Sequence, residues 1–292
     1  MSIQVFQSIK DAIGNLNPEE IQRHTERPLR LFLYANTERQ YREMEDFFIP
    51  RDLSEARRRQ VRHQVYRASE GFSPSAKEDL AVYFDDSGSP ERATADAFAF
   101  SPAQPEFTIG DVLARRPDLA VPLALHIPPF REQVSRRMVK KVAKENALFA
   151  LATAVPDIIP FVSLPWAVGE FASDTAFLTA NQIRLAFLLA AANDREIGYR
   201  EQRAEIASII AGAFGWRALA RELVGKIPWG AGMVPKAGIA FAGTFVVGLS
   251  MERFYRLGRR YTRAERRLAY EDALDRGKKF VATFLQGVRQ RA

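Results

Sequence analysis

The chain has 292 residues, 47% of them hydrophobic, so it is long enough for two domains with their own cores. It contains no cysteine, which excludes disulfide bonds, thiolate catalysis and cysteine-ligated metal ions. Its three histidines, His24, His63 and His126, share no metal-ligand spacing. We therefore expect no metal and no other cofactor.

The positive charge is concentrated towards the C-terminal end of the chain. The formal net charge is +7, but residues 1–130 carry 16 Lys/Arg against 20 Asp/Glu, whereas residues 251–292 carry 12 against 5. A basic segment beside an apolar one is typical of contact with an anionic membrane surface or an acidic partner. Nucleic acid is not expected, because no aromatic stacking platform is evident. The candidate lipid or acidic-partner contacts are Arg259, Arg260, Arg263, Arg266 and Arg267.

The first half of the chain is predicted to contain a helix and linker over residues 1–28 and a small α/β domain over residues 29–130. Short apolar runs bounded by turn residues predict strands. The predicted strands are 29–35, 79–86 and 119–128, with possible short strands at 98–101 and 106–109. Helices are predicted over 37–48 and 53–69, and a helical turn near 111–116. The alternation of strands and helices indicates a mostly parallel sheet.

The second half, residues 131–292, is predicted to be a helical domain with a basic last helix. Long helices are expected from Phe130 to about Val155, from Trp166 to Ala192, and from an N-cap at Asp194 towards Trp216. A Gly/Pro hinge at 227–235 precedes an apolar helix. The last helix is predicted to open with a capping box, because Thr262 and Glu265 have the required spacing.

Two apolar stretches raise the question of membrane insertion. The uncharged run Ala237–Met251 has 15 residues, fewer than the roughly 20 that a spanning helix needs. The mean hydropathy of −0.20 favours a soluble or peripheral protein. We expect a peripheral or shallowly inserted protein, with an integral protein of one or two spans and a fully soluble protein as the alternatives.

Charged residues lie within and beside these apolar stretches. Glu170 and Asp174 are four residues apart and so share one helical face. We expect them to belong to a buried charge network, because isolated charges in an apolar setting are costly. The candidate members are Glu170, Asp174, Arg184, Arg217, Arg221 and Lys226.

Motifs for several chemistries are missing from the sequence. It has no phosphate loop of the Gly-x4-Gly-Lys-Ser/Thr type, no dinucleotide-binding fingerprint, no nucleophile elbow and no His-Glu-x-x-His motif. Asp85 and Asp86 end a strand, where nucleotide hydrolases place a metal-binding acid, but no phosphate loop accompanies them. We expect no catalytic residues, and no small-molecule substrate is indicated.

One resemblance covers roughly residues 135–258. It rests on ATAVPDIIPF at 152–161, on ELVGKIPWGAGMVPKAGIAFAGTFVVG at 222–248, and on the dipeptides Asn181-Gln182 and Phe214-Gly215. These segments resemble a family of bacterial helical domains, domain of unknown function family 697. The resemblance implies a helical domain of the kind that stands behind Era-like small GTPase domains and at the end of some inner-membrane proteins. The family has no established catalytic residues.

The resemblance also suggests a GTPase-like origin for the N-terminal sheet. The segment YANTERQ at 34–40 stands where a phosphate loop is expected and has neither Gly nor Lys. The fold class predicted is therefore mainly α: a small degenerate α/β domain lacking a phosphate loop, followed by a helical bundle. We expect a non-enzymatic protein at the cytoplasmic face of the inner membrane, bound to anionic lipid or to a protein partner such as a GTPase. The alternatives are a soluble cytoplasmic scaffold and an atypical nucleotide-binding protein.

Overall fold

The structure is a computed structural model that describes residues 3–14, 16–68, 79–86, 97–154, 174–212 and 233–290. The helices are α1 (Ile3–Gly14), α2 (Pro18–Thr25), α3 (Glu38–Phe48), α4 (Glu55–Arg62), α5 (Pro105–Arg115), α6 (Ala120–His126), α7 (Arg131–Ala152), α8 (Asp174–Ala192), α9 (described over 203–212), α10 (Met233–Leu257) and α11 (Arg263–Arg289). The strands are β1 (Arg30–Tyr34), β2 (Val65–Arg67), β3 (Asp79–Phe84) and β4 (Ala97–Phe100). The predicted fold class is confirmed: the protein is mainly helical, with a small four-stranded parallel sheet near the N-terminus and a helical C-terminal region.

The chain divides into two compact units. The α/β unit comprises residues 20–135 and 191–195. The helical unit comprises residues 1–19, 136–190 and 196–292.

The sheet of the α/β unit has the strand order β2-β1-β3-β4, and every pairing is parallel. Strands of a parallel sheet are covered on both faces, so their side chains are apolar. Leu31, Leu33, Val82 and Phe98 are accordingly all buried. The β1, β3 and β4 strands were predicted, and their positions are confirmed.

Three predictions in this unit are wrong. Residues 119–128 form a 3₁₀ turn and α6 rather than a strand. Pro122 is tolerated there because the first turn of a helix has no use for its N–H groups. Residues 106–109 belong to α5, which Pro105 opens at its first position. The helix predicted over 53–69 ends at Arg62, and the β-prone residues that follow pair as β2 at the sheet edge.

Asp194 does not cap a helix, which is a further correction. Its backbone φ is +58°, in the left-handed region, and the chain turns until α9 begins at residue 203. An N-cap residue needs an extended φ instead. The predicted capping box at Thr262 and Glu265 is confirmed, since each side chain accepts from the other residue's backbone N–H, at 3.2 and 2.8 Å.

Small residues allow the helices of the helical unit to approach closely. A Cβ atom at Gly248 of α10 would lie 2.8 Å from Val139 of α7, and one at Gly277 of α11 would lie 2.9 Å from Phe241 of α10. At the N-terminal end of the chain, Ile9 and Ala12 of α1 pack against Ala176 and Ala180 of α8. The helical unit is therefore assembled from segments distant in sequence.

Among the residues that the structure describes, two helices are long and apolar enough to cross a membrane by length and composition. They are Thr175–Ala192, 83% of which is buried inside the protein, and Lys236–Leu257, 61% of which is buried. Core helices of soluble proteins meet the same criterion, so composition alone does not assign these helices to a bilayer.

Candidate functional site

The five candidate arginines lie around the turn that joins α10 to α11. Gly258 ends α10 with a φ of +72°, a conformation that glycine adopts without strain. Arg259 and Arg260 follow in the turn, and the remaining three lie in the first two turns of α11. The structure therefore brings the sequence-predicted cluster to one end of the α10–α11 hairpin.

Four of these arginines line one groove. It has a volume of about 730 Å³ and lies among α9, α10 and α11 of the helical unit. The lining residues described by the structure include Arg260, Arg263, Arg266 and Arg267, but not Arg259. They also include an apolar set: Ile209, Val246, Val247 and Met251.

Positive charge predominates in this groove, which we call the arginine groove. Its described lining holds one carboxylate, Glu205, which is 6% exposed and lies 3.6 Å from Arg260. Arg267 pairs at 3.1 Å with Glu271, in an exposed contact that water and salt weaken. Among the described residues, Arg263 and Arg266 have no ion-pair partner. At least two guanidinium groups are thus available to an external anion.

Two further side chains shape the chemistry at this end of the hairpin. Tyr270 lines the groove, and burial raises the pKa of its phenol to about 12. Glu265 accepts a hydrogen bond from the backbone N–H of Thr262 and another from Arg253. Together these hydrogen bonds lower the pKa of Glu265 to about 2. Glu265 therefore contacts Thr262 and Arg253, and its negative charge lies outside the described lining of the groove.

The predicted buried charge network is only partly described. Glu170, Arg217, Arg221 and Lys226, and the side chain of Asp174, lie outside the described residues. Arg184 is described, and its Nη2 lies 2.6 Å from Oε2 of Glu145 on α7. Burial lowers the pKa of Arg184 from its ordinary value, and Glu145 opposes that effect.

The Glu145–Arg184 pair belongs to a buried polar cluster that joins α7, α8 and α10. Asn181 donates to Asn146 at 2.8 Å, and Asn146 donates to Thr244 at 2.7 Å. Gln182 donates to Thr244 at 3.1 Å. Of this cluster, the charge pattern predicted only Arg184. The resemblance named Asn181 and Gln182, and the segment 222–248 that contains Thr244, without indicating that these side chains touch.

The carboxyl edge of the sheet has the topology of a ligand-binding position. The strand order reverses between β1 and β3, and open α/β sheets bind ligands at such a reversal. Here the backbone N–H groups of Asn36 and Thr37 both donate to Gln40, each at 3.0 Å. Gln40 in turn donates to Asp86 at 2.8 Å. These amides therefore already have acceptors, and the adjacent carboxylate repels phosphate.

A smaller cavity, of about 320 Å³, lies in the α/β unit, lined in part by Arg57, His126 and Asp194. Arg57 lies 2.8 Å from Asp194 and also donates to the Leu125 carbonyl. Burial lowers the pKa of His126, which favours the neutral imidazole. This cavity therefore offers an external anion less charge than the arginine groove does.

Within the described residues, no group of three or more His, Asp or Glu side chains is placed to hold a metal ion. In comparisons with known proteins, no family model, no curated protein and no solved structure matched the chain.

Proposed function

We propose that this chain is a non-enzymatic protein that attaches peripherally to an anionic membrane surface through its helical unit. The observation that carries the proposal is the arginine groove, in which Arg260, Arg263, Arg266 and Arg267 converge and the described lining holds one carboxylate. Each cation near an anionic surface contributes on the order of 1 kcal/mol to binding. Together the four contribute about 4 kcal/mol, so stable attachment requires a second contribution beside the charges.

Exposed apolar side chains at the same end of the hairpin support the proposal. Leu257 is 50% exposed and Leu268 is 68% exposed, more than the other large apolar side chains that the structure describes. Both flank the arginines in sequence. Basic side chains beside protruding leucines suit the boundary between lipid headgroups and acyl chains.

The burial of the apolar helices supports a peripheral mode of attachment. Most of Thr175–Ala192 already packs against protein. The Glu145–Arg184 pair gives that interior a polar component, with side chains only 10% and 15% exposed. We infer that these helices serve as the core of the bundle and that the cytoplasmic face of the inner membrane meets the arginine groove.

We propose that the α/β unit recognises a protein partner rather than a nucleotide. The backbone amides of Asn36 and Thr37 donate to the Gln40 side chain, and Asp86 adds negative charge at the position where a phosphate would bind. The resemblance to domains that accompany GTPases makes a GTPase the partner class to examine first. A soluble scaffold that binds an acidic helix in the arginine groove is the competing function, because the same charges and apolar lining fit such a helix.

Vesicle co-sedimentation tests the membrane proposal. In the test variant Arg259, Arg260, Arg263, Arg266 and Arg267 are changed to Gln. The matched control changes five exposed arginines of the α/β unit, and so removes the same charge: Arg23, Arg39, Arg42, Arg59 and Arg62. The vesicles contain phosphatidylglycerol and phosphatidylcholine in equal parts, with pure phosphatidylcholine as the neutral reference.

We expect the wild type and the control to bind the anionic vesicles, and the test variant to lose more than about 100-fold in partition coefficient, at about fivefold for each cation removed. Equal binding of the two variants would show that general charge, rather than this groove, directs attachment. No binding by the wild type would overturn the membrane proposal in favour of the scaffold.

A further inference from the structure

We infer that the arginine groove is a binding site for a single anionic amphiphile, a lipid with a phosphate headgroup and an acyl chain. This inference rests on the proposed membrane function and gives it a specific ligand. It goes beyond charge attraction because the groove combines two kinds of lining that a flat basic patch does not need.

The first kind of lining is cationic and suits a phosphate. Arg263 and Arg266 have no acidic partner among the described residues, and both lie on α11 one turn apart. The planar guanidinium donates two parallel hydrogen bonds to a phosphate. Tyr270, four residues after Arg266, adds an uncharged side chain to the same lining.

The second kind of lining is apolar and suits a hydrocarbon chain. Ile209 comes from α9, whereas Val246 and Val247 come from one turn of α10 and Met251 from the next. A free phosphate ion gains nothing from these side chains, but an acyl chain gains about fourfold in affinity for each methylene that it buries. Headgroup and chain together therefore fit the groove better than either one alone.

The size of the groove agrees with this ligand class. About 730 Å³ lies within the range of roughly 300–1,000 Å³ that is usual for small-molecule sites. Glu205, the one carboxylate in the described lining, is held near Arg260, so it leaves the Arg263 and Arg266 side of the groove positive. The phosphate is therefore expected near Arg263 and Arg266, with the chain over Val246 and Val247.

The test uses dihexanoyl phosphatidylglycerol as a monomer, below its micelle concentration, titrated into the full chain by calorimetry. Glycerol phosphate and inorganic phosphate serve as chainless probes. The Ser208→Trp variant places a large side chain at an exposed groove-lining position of α9 without changing charge. Its matched control is Ala207→Trp, at the neighbouring exposed residue, which is outside the described groove lining.

We expect saturable one-to-one binding of the short-chain lipid to the wild type and to Ala207→Trp. Binding of the lipid to Ser208→Trp should be at least about tenfold weaker, because the tryptophan side chain keeps the methylenes of the lipid from being buried. The chainless probes should bind the wild type at least about tenfold more weakly than the lipid does, because they have no methylenes to bury. The Arg263→Gln/Arg266→Gln double variant should lose affinity for the lipid as well.

Anionic vesicle binding without monomer binding would overturn the amphiphile site and leave the proposed membrane attachment standing. Failure of both would overturn the two together. Equal affinity for glycerol phosphate and the lipid would show that the groove recognises the phosphate alone, which contradicts a chain-binding role. Unchanged lipid affinity in Ser208→Trp would place the binding outside this groove.

Discussion

Glu145 and Arg184 show how single residues define the interior of the helical unit. The two side chains are 10% and 15% exposed, and Arg184 also donates to Asn181 at 3.0 Å. A buried ion pair is weak evidence for net stability, because both ions lose hydration. Its effect is seen instead when one partner is removed and the other charge stays buried.

Changing Arg184 to Met should therefore destabilise the helical unit by about 3–5 kcal/mol. The double variant Glu145→Met/Arg184→Met should recover much of that loss, since it leaves no unpaired charge. Urea unfolding followed by far-UV circular dichroism measures both. Single and double variants of equal stability would contradict the assignment of a buried, coupled pair.

At this scale the sequence predicts which residues carry charge but not which of them meet. The structure pairs Arg184 with Glu145, 39 residues away in sequence. Glu170 and the side chain of Asp174, with which Arg184 was predicted to share a network, lie outside the described residues. Spacing along one helix identifies residues on a common face, but contacts between helices depend on packing that periodicity does not encode. The arginines of the hairpin were predictable as a cluster because their sequence spacing already brings them together.

At the scale of elements, the packing of α10 against α11 depends on positions without a side chain. A Cβ atom at Gly277 would lie 2.9 Å from the Phe241 Cβ and 3.0 Å from the Gly238 carbonyl oxygen. A Cβ atom at Gly287, on the same helix, would meet nothing within 4 Å. The two glycines are therefore a matched pair in one element.

The Gly277→Ala substitution should destabilise the protein by about 1–3 kcal/mol, because the backbone of α10 must move. The Gly287→Ala substitution should be neutral or stabilising by up to about 1 kcal/mol, because alanine favours helix. Thermal unfolding of the two variants measures whether the first lowers the unfolding midpoint and the second leaves it unchanged or raises it. Stabilisation by Gly277→Ala would show that α10 and α11 do not approach as closely as described.

The capping box of α11 gives a pH-dependent prediction. The pKa of Glu265 falls from 4.5 to about 2, chiefly because the carboxylate accepts from the Thr262 backbone, and also because Arg253 contacts it. Because the pKa is lower in the folded protein than in the unfolded chain, the ionised carboxylate stabilises the fold at pH values above the unfolded pKa. That stabilisation is lost as the pH falls towards 2. The stability difference between the wild type and Glu265→Gln should be constant above pH 4.5 and shrink below it.

Thermal unfolding midpoints across this pH range measure the difference. The same comparison in a Thr262→Ala background is the control. Its pH dependence should be smaller, because the side-chain hydrogen bond of Thr262 is missing and only the backbone one remains. A difference that stays constant down to pH 2 would contradict the role given to Glu265.

Elements were predictable where a local signal dominates. The neighbouring sequence is enough to predict the capping box of Thr262 and Glu265 and the apolar strands β1 and β3. The structure confirms these predictions. The strand predicted at 119–128 failed because its apolar run is equally compatible with a short buried helix, and burial on all sides removes the periodicity that separates the two.

At the scale of the whole molecule, the predicted mainly α fold with a small parallel sheet is confirmed, because alternating strand and helix patterns fix the layer type. The arginine groove could be predicted only in part. The sequence supplies its charges on one turn and one helix, but Ile209 and Val246 enter it through the packing of α9 against α10. We propose that this groove holds the protein at a membrane surface while the apolar helices stay inside the bundle.

Cell fractionation separates attachment through the groove from insertion of the helices. Cells expressing the full chain are lysed, and the membranes are washed first with high salt and then with alkaline carbonate. We expect a membrane-bound protein that high salt releases, because salt screens the arginine contacts. The variant with Arg259, Arg260, Arg263, Arg266 and Arg267 changed to Gln should be soluble from the start. Retention of the wild type through alkaline carbonate would overturn peripheral attachment, since it would mean that apolar helices such as Lys236–Leu257 are inserted in the bilayer.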